Sequence, residues 1–293
     1  MRGSALCRLK VMRKIASTAA AMLVCALAFA AGDYTARIAK FRADREKSLI
    51  SEDGWTTVVG LAWLKDGDNR AGSDASAQVP LPASMPAQTG VFTLKSGHVH
   101  FQPAAGVKLP AKDLVPNKDI LTLGSVKFFL IQRGDKFAVR VKDSQAPTRK
   151  EFTHLSWYPV DASWRIEAKY TPWDKPHVLN FDTVVSGLQE QDASPGNVGF
   201  MREGKEYRLE PASDGSIVFR DQTTGKATYG AGRFLDIDLP KNLKVPGTVV
   251  LDFNEAYNPP CVFTAYATCP LPPPQNRLTL SVTAGELMYN GHH

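Results

Sequence analysis

From residue 54 onward, glycine-containing turns cut the chain into short segments of alternating or β-branched apolar residues, and no other feature limits its fold so strongly. Phe137, Val139 and Val141 alternate with Ala138, Arg140 and Lys142, the period of a strand with one buried and one wet face. Segments 126–132 and 136–142 flank Arg133-Gly134-Asp135, and 91–94 and 98–102 flank Lys95-Ser96-Gly97, so each pair predicts a hairpin. Arg133-Gly134-Asp135 also spells an integrin-binding tripeptide, but glycine and aspartate are what such a turn needs on conformational grounds. Segment 55–64 reads as a further strand ending in the turn formers 65–69. A second series follows at 164–170, 177–185, 198–202, 206–210, 217–220 and 228–237, with Tyr207, Leu209, Ile217 and Phe219 as an inward face, and 249–253 and 278–283 close it.

The expected fold is therefore all-β: an antiparallel, sandwich-like N-terminal half and a β-meander or partial barrel in the C-terminal half. One short helix precedes them, since Tyr34, Ile38, Phe41 and Leu49 recur at near-helical spacing over 33–50, with Asp33 as N-cap. The polar, proline-containing run 144–153 marks the seam.

Arg2, Arg8, Lys10, Arg13 and Lys14 precede an apolar run that ends in Ala28-Phe29-Ala30, the pattern of a secretory signal peptide over 1–31 with cleavage near Ala30. The remaining halves are 32–150 and 151–293, and a periplasmic or secreted location is expected. Without the leader, 30 basic residues face 29 acidic ones, so the electrostatic footprint of a nucleic-acid binder is missing. No later segment has the length of a membrane helix.

The usual nucleophile, phosphate-loop, dinucleotide and metal motifs are absent. His98 and His100 share one strand face, but no third ligand stands near, so no metal and no cofactor are expected. Chemistry-bearing residues concentrate in 252–277, DFNEAYNPPCVFTAYATCPLPPPQNR. Cys261 and Cys269 are the two cysteines left after the leader, and in an oxidising compartment they predict a bridge worth ~2.5 kcal/mol by loop entropy. A reactive thiolate and a two-thiolate metal site are the alternatives. Asn258-Pro259-Pro260 fixes extended backbone, and 270–274 is a polyproline spacer. Arg277 is placed to pair with Asp252 or Glu286.

The runs Tyr229-x-x-Gly232-Arg233-Phe234-Leu235, Asp252-Phe253-Asn254, Tyr257-Asn258-Pro259-Pro260-Cys261, Thr268-Cys269-Pro270-Leu271-Pro272, Asn276-Arg277-Leu278 and Ala284-Gly285-Glu286 resemble the bacterial domain of unknown function 1684 family. Gly60-Leu61-x-Trp63-Leu64 and 140–170 are similar to it as well. The resemblance implies an exported bacterial β protein and carries no agreed activity or catalytic residue.

Three functions fit these residues. In a binding protein, the sheet encloses a small-molecule or envelope-derived ligand, with Tyr229, Arg233, Asn254, Tyr257, Asn258, Asn276 and Arg277 as polar lining. In a hydrolase-type enzyme, Asp252, Glu255 or Glu286 acts as acid or base. In a structural protein, the same residues pin the proline loop. Nothing in the sequence specifies an oligomeric state.

Overall fold

The computed structural model describes residues 32–289 and 291; the leader expected over 1–31 lies outside them. Residues 32–49 are helical, so Asp33 lies within the helix and does not cap it. Its apolar face buries Ile38 and Leu49 and sets Phe41 edge-on to Trp157, with ring centroids 6.1 Å apart. Polar anchors fix it to the C-terminal half: Arg42 donates to the Tyr158 carbonyl at 2.9 Å, and Glu46 accepts the Leu155 N–H at 2.7 Å. Among the described residues, no helix is long and apolar enough to cross a membrane.

Two sheets form the N-terminal half. One holds, in order, Val58–Trp63, Lys136–Asp143, Val126–Arg133 and Ile120–Leu123; the other holds Val79–Pro80, Gly67–Gly72, Gly90–Lys95, His98–Pro103 and Lys112–Leu114. Phe92 and Phe101 of the second sheet meet Phe128 of the first at 6.1 and 5.9 Å, so the two share one core in the sandwich manner. Both predicted hairpins are present, each turned through a positive-φ glycine, Gly97 or Gly134. The supposed turn at 65–69 is already the start of strand Gly67–Gly72. Asn69, almost wholly buried, holds this start by bonding the backbone of Lys65, Gly67 and Phe92.

In the C-terminal half, the two strands expected at 164–170 and 177–185 are one, Arg165–Asp182. Pro172 and Pro176 have no N–H for the ladder, and the register shifts between Pro172 and His177 before pairing resumes. This strand lies between Gln189–Arg202 and Gly247–Asp252, with Lys205–Leu209 at the far edge and Ser216–Phe219 paired separately with Arg233–Asp236. Among the described residues the sheets stay open and no barrel closes. Tyr207, Leu209, Ile217 and Phe219 do point into one core, with Phe253 among them.

The closing strand expected at 278–283 does not form. Leu278, Leu280, Val282 and Ala284 still alternate inward, and from Val282 onward side chains satisfy much of the backbone. Arg233, completely buried, donates to the carbonyls of Ala284 at 2.5 Å, Val282 at 3.1 Å and Glu286 at 3.4 Å. Its partner Asp221, 2.9 Å away, accepts the Val282 N–H at 3.3 Å. Backbone bonds to 220–222 hold the segment as far as Leu280, with the Leu278 N–H on the Arg220 carbonyl at 2.8 Å and the Gln222 N–H on the Leu280 carbonyl at 3.0 Å, and beyond it the ion pair stands where a neighbouring strand would. Asp221→Asn leaves the arginine charge buried without its counter-ion and is expected to lower stability by roughly 3–5 kcal/mol. In urea unfolding, the double substitution Asp221→Leu with Arg233→Met should not recover that loss, because it strands the Thr223 and Val282 N–H groups and the carbonyls that Arg233 serves.

Candidate functional site

The N-terminal helix brings two side chains one turn apart to the end of strand Gly247–Asp252. The Tyr34 hydroxyl donates to Asp252 Oδ1 at 3.0 Å, and Arg37 Nη2 donates to Oδ2 at 2.5 Å. Arg37 Nη1 also reaches Glu255 Oε1 at 2.5 Å, so one guanidinium fork joins two carboxylates. Asp252 is held from its own side as well, because it caps the 3-10 turn Phe253–Glu255 through the Asn254 N–H at 3.2 Å. Burial, partly offset by Arg37, raises the Glu255 carboxyl above the ordinary range. Burial and the Asp252 charge push the Tyr34 hydroxyl up, so it remains a donor at neutral pH.

Arg37, Asp252 and Glu255 form one wall of an open cleft of about 580 Å³. Arg165, Asp214, Asp236 and Asp238 complete its charged lining, so five carboxylates face two arginines. The Asp236 carboxylate accepts the Tyr257 hydroxyl at 2.9 Å, which places Tyr257 at the cleft margin. Of the residues expected to carry chemistry, Asp252 and Glu255 reach the cleft wall and Tyr257 its edge.

The other expected site residues are placed differently. Asn254 is fully buried and bonds the backbone of Asp161 in both directions, at 2.8 and 3.0 Å, behind the Tyr34 hydroxyl. Arg233 is the buried clamp described above, far from any opening. Asn276 exchanges two bonds with the Glu210 backbone, at 2.7 and 2.9 Å, as a strand would. Glu286 is fully buried, receiving the Asn258 side chain at 2.7 Å and Arg45 Nε at 3.4 Å. Asn258 also donates to the Leu287 carbonyl at 2.7 Å. Arg277 pairs with neither Asp252 nor Glu286: it is exposed and reaches the Pro272 carbonyl at 3.4 Å. The half-buried Tyr229 hydroxyl lies 3.5 Å from the Cys261 carbonyl.

Cys261 and Cys269 stand side by side as two buried thiols, unbonded where the sequence predicts a bridge. The Cys261 N–H donates to Cys269 Sγ at 3.2 Å. The hydrogen bond from the partner sulfur, together with burial, holds the Cys269 thiol well above the ordinary cysteine range. Trp55, Tyr229 and Phe234 pack over this pair. His100 bonds the exposed Asp113 at 2.7 Å on the N-terminal sheet, and no group of three or more acidic, His or Cys ligands is gathered for a metal among the described residues.

Residues 150–287 match the model of a family described as Protein of unknown function (DUF1684). The chain belongs to this family. Among solved structures it is similar to the solution NMR structure of the uncharacterized protein from gene locus rrnAC0354 of Haloarcula marismortui. The two share 30% identity over 49% of this chain and 81% of the other, with a TM-score of 0.41. No curated protein matches. The DUF1684 match includes Asp252, Glu255 and Asp236 but not Tyr34 or Arg37, so the helix that completes the cleft comes from outside it.

Sequence reading missed Tyr34, Arg37, Arg165 and Asp236. Tyr34 and Arg37 lie more than two hundred positions from their partners, and their one usable signal was a pair of polar-tipped side chains one turn apart on a helix. Glu286 supplies a pH test of the site's buried support. Burial, opposed by Arg45 and Asn258, raises its carboxyl above the ordinary 4.5, so the folded chain holds that proton more tightly than the unfolded one. Its contribution is complete below 4.5 and is lost as pH rises through the raised folded value. Glu286→Gln should therefore gain stability relative to the parent between acid and neutral pH in paired unfolding curves; a constant difference contradicts the assignment.

Proposed function

We propose that this chain is an exported protein that binds a small polar ligand in the cleft between the N-terminal helix and the C-terminal half. One observation carries the reading: Arg37, Asp252 and Glu255 are locked together at the wall of a concavity of ligand size, not on a flat face. Arg37 keeps 47% of its side chain exposed there, so the charged cluster remains open to a solute. The basic, then apolar leader sequence supports export, and export supports oxidation of the adjacent Cys261 and Cys269 to a disulfide. Protein purified from an oxidising compartment should then show no free thiol after denaturation without reductant, since the leader's Cys7 and Cys25 leave on cleavage. One free thiol per cysteine in that material would sink the bridge.

A thermal-shift screen of polar small molecules tests the binding reading. A stabilising ligand should lose about tenfold in affinity or more on Glu255→Gln or Arg37→Gln, through removal of a charged hydrogen-bonding group. Asp252→Asn and Tyr257→Phe separate the remaining readings. An intact fold with weakened binding supports the binder, whereas lost stability with no retained ligand supports a purely structural role. The raised Glu255 carboxyl beside Asp252 favours a second reading, a hydrolase-type enzyme in which Glu255 donates a proton while Asp252 is held in place by Arg37. Intact fold and binding with lost turnover in Asp252→Asn supports it.

A further inference from the structure

A second hollow of about 350 Å³ adjoins the charged cleft, and Asp236 lines both. Its walls are Phe41 from the helix, Trp55 from the 3-10 turn Trp55–Thr57, Phe234 from strand Arg233–Asp236, and Tyr257 with Pro260 from the proline loop. All five are only partly buried, so apolar and aromatic surface from four separated segments is left facing one space.

The rings are held in place before any ligand arrives. Phe234 meets Tyr257 edge to face, with centroids 5.9 Å apart and planes at 77°, and Phe41 is braced on Trp157. The Arg140 guanidinium lies over the Trp55 ring at 5.1 Å, and the Cys261–Cys269 loop packs beneath Trp55 and Phe234. Such walls suit a flat or compact apolar group.

The charges of the hollow decide among an anion, a neutral sugar and a cation. Arg45 lies at 4.7 Å over Tyr257, but its charge is engaged by the fully buried Glu286 and by the Asn258 carbonyl at 2.8 Å. Asp44 is paired with Lys40. Asp236, by contrast, meets the Tyr257 hydroxyl and, among the described residues, no basic side chain. It also opens toward Asp214 and Asp238 across the cleft, where five carboxylates outnumber Arg37 and Arg165, and Arg37 is already engaged by Asp252 and Glu255. An anion is repelled there, and a sugar leaves the carboxylate charge unanswered.

We infer that this hollow takes the apolar body of an organic ammonium ion whose charged end sits at Asp236. The inference rests on the cleft being a ligand site and names the ligand class for that site. Isothermal titration of the purified protein with benzyltrimethylammonium, benzyl alcohol, benzoate and glucose tests it. The ammonium should bind about tenfold more tightly than benzyl alcohol, weaken at high salt, and lose its advantage on Asp236→Asn, an exposed substitution with an unchanged unfolding midpoint. Phe41→Ala should weaken the ammonium and the alcohol together. Equal binding of ammonium and alcohol, preference for benzoate or glucose, or an ammonium affinity unmoved by Asp236→Asn overturns the inference. If all four probes fail while a screened ligand still depends on Glu255 and Arg37, the ligand class falls and the cleft reading stands. If that dependence is also missing, both fall.

Discussion

The buried pair Asp221–Arg233 is the constraint from which the C-terminal half is ordered. A guanidinium with no exposed surface requires compensation for every donor it brings inside, and the carbonyls of Val282, Ala284 and Glu286 supply most of it. The segment after residue 278 is thereby fixed without becoming a strand. Its next residues, Gly285 and Glu286, are positioned in turn. Gly285 takes φ +84 where an added Cβ would stand 2.6 Å from the Ala256 carbonyl oxygen, so the chain passes close beneath the loop that follows Asp252. Glu286 then receives Asn258 and Arg45, and through Arg45 the N-terminal helix is tied to the loop.

The cleft depends on this sequence of supports. Its carboxylates come from the end of one strand and the turn it caps, while Tyr34 and Arg37 come from a helix anchored by Arg42, Arg45 and Glu46. Polar groups divide accordingly into two kinds. Arg233, Asn258, Asn276 and Glu286 are buried and hold backbone or buried side chains, which is where their removal is costly to stability. Glu255 and Asp236 meet both protein and solvent, and the buried Asp252 reaches the cleft wall beside them, which is where ligand chemistry is available.

Periodicity made much of the architecture legible. Phe137, Val139 and Val141 announced a strand, the glycines at 97 and 134 announced its neighbours' turns, and the spacing of Ile38, Phe41 and Leu49 announced the helix. The failures have specific causes. The prolines at 172 and 176 read as a break, whereas a bulge absorbs them inside one strand. Leu278, Leu280 and Val282 alternate like a strand because they pack like one, but backbone pairing with 220–222 stops at Leu280 and side chains take the hydrogen-bonding positions of Val282. The dense run 252–277 looked like one site, and most of it is bracing. Asn, Pro and buried Glu serve both purposes with the same chemistry, so residue type alone did not separate them.

What the sequence alone determined is local: which segments alternate, where glycine permits a turn, and that Cys261 and Cys269 lie close enough along the chain to meet. Those properties depend on neighbours a few positions away. Which carboxylates face solvent, and which arginine meets them, the tertiary structure decided. A charge is defined by what surrounds it in space, and Arg37 reaches Asp252 across 215 positions of chain. The same holds for the hollow beside the cleft, whose rings share no pattern in sequence and meet only because helix, turn, strand and proline loop pack at one corner.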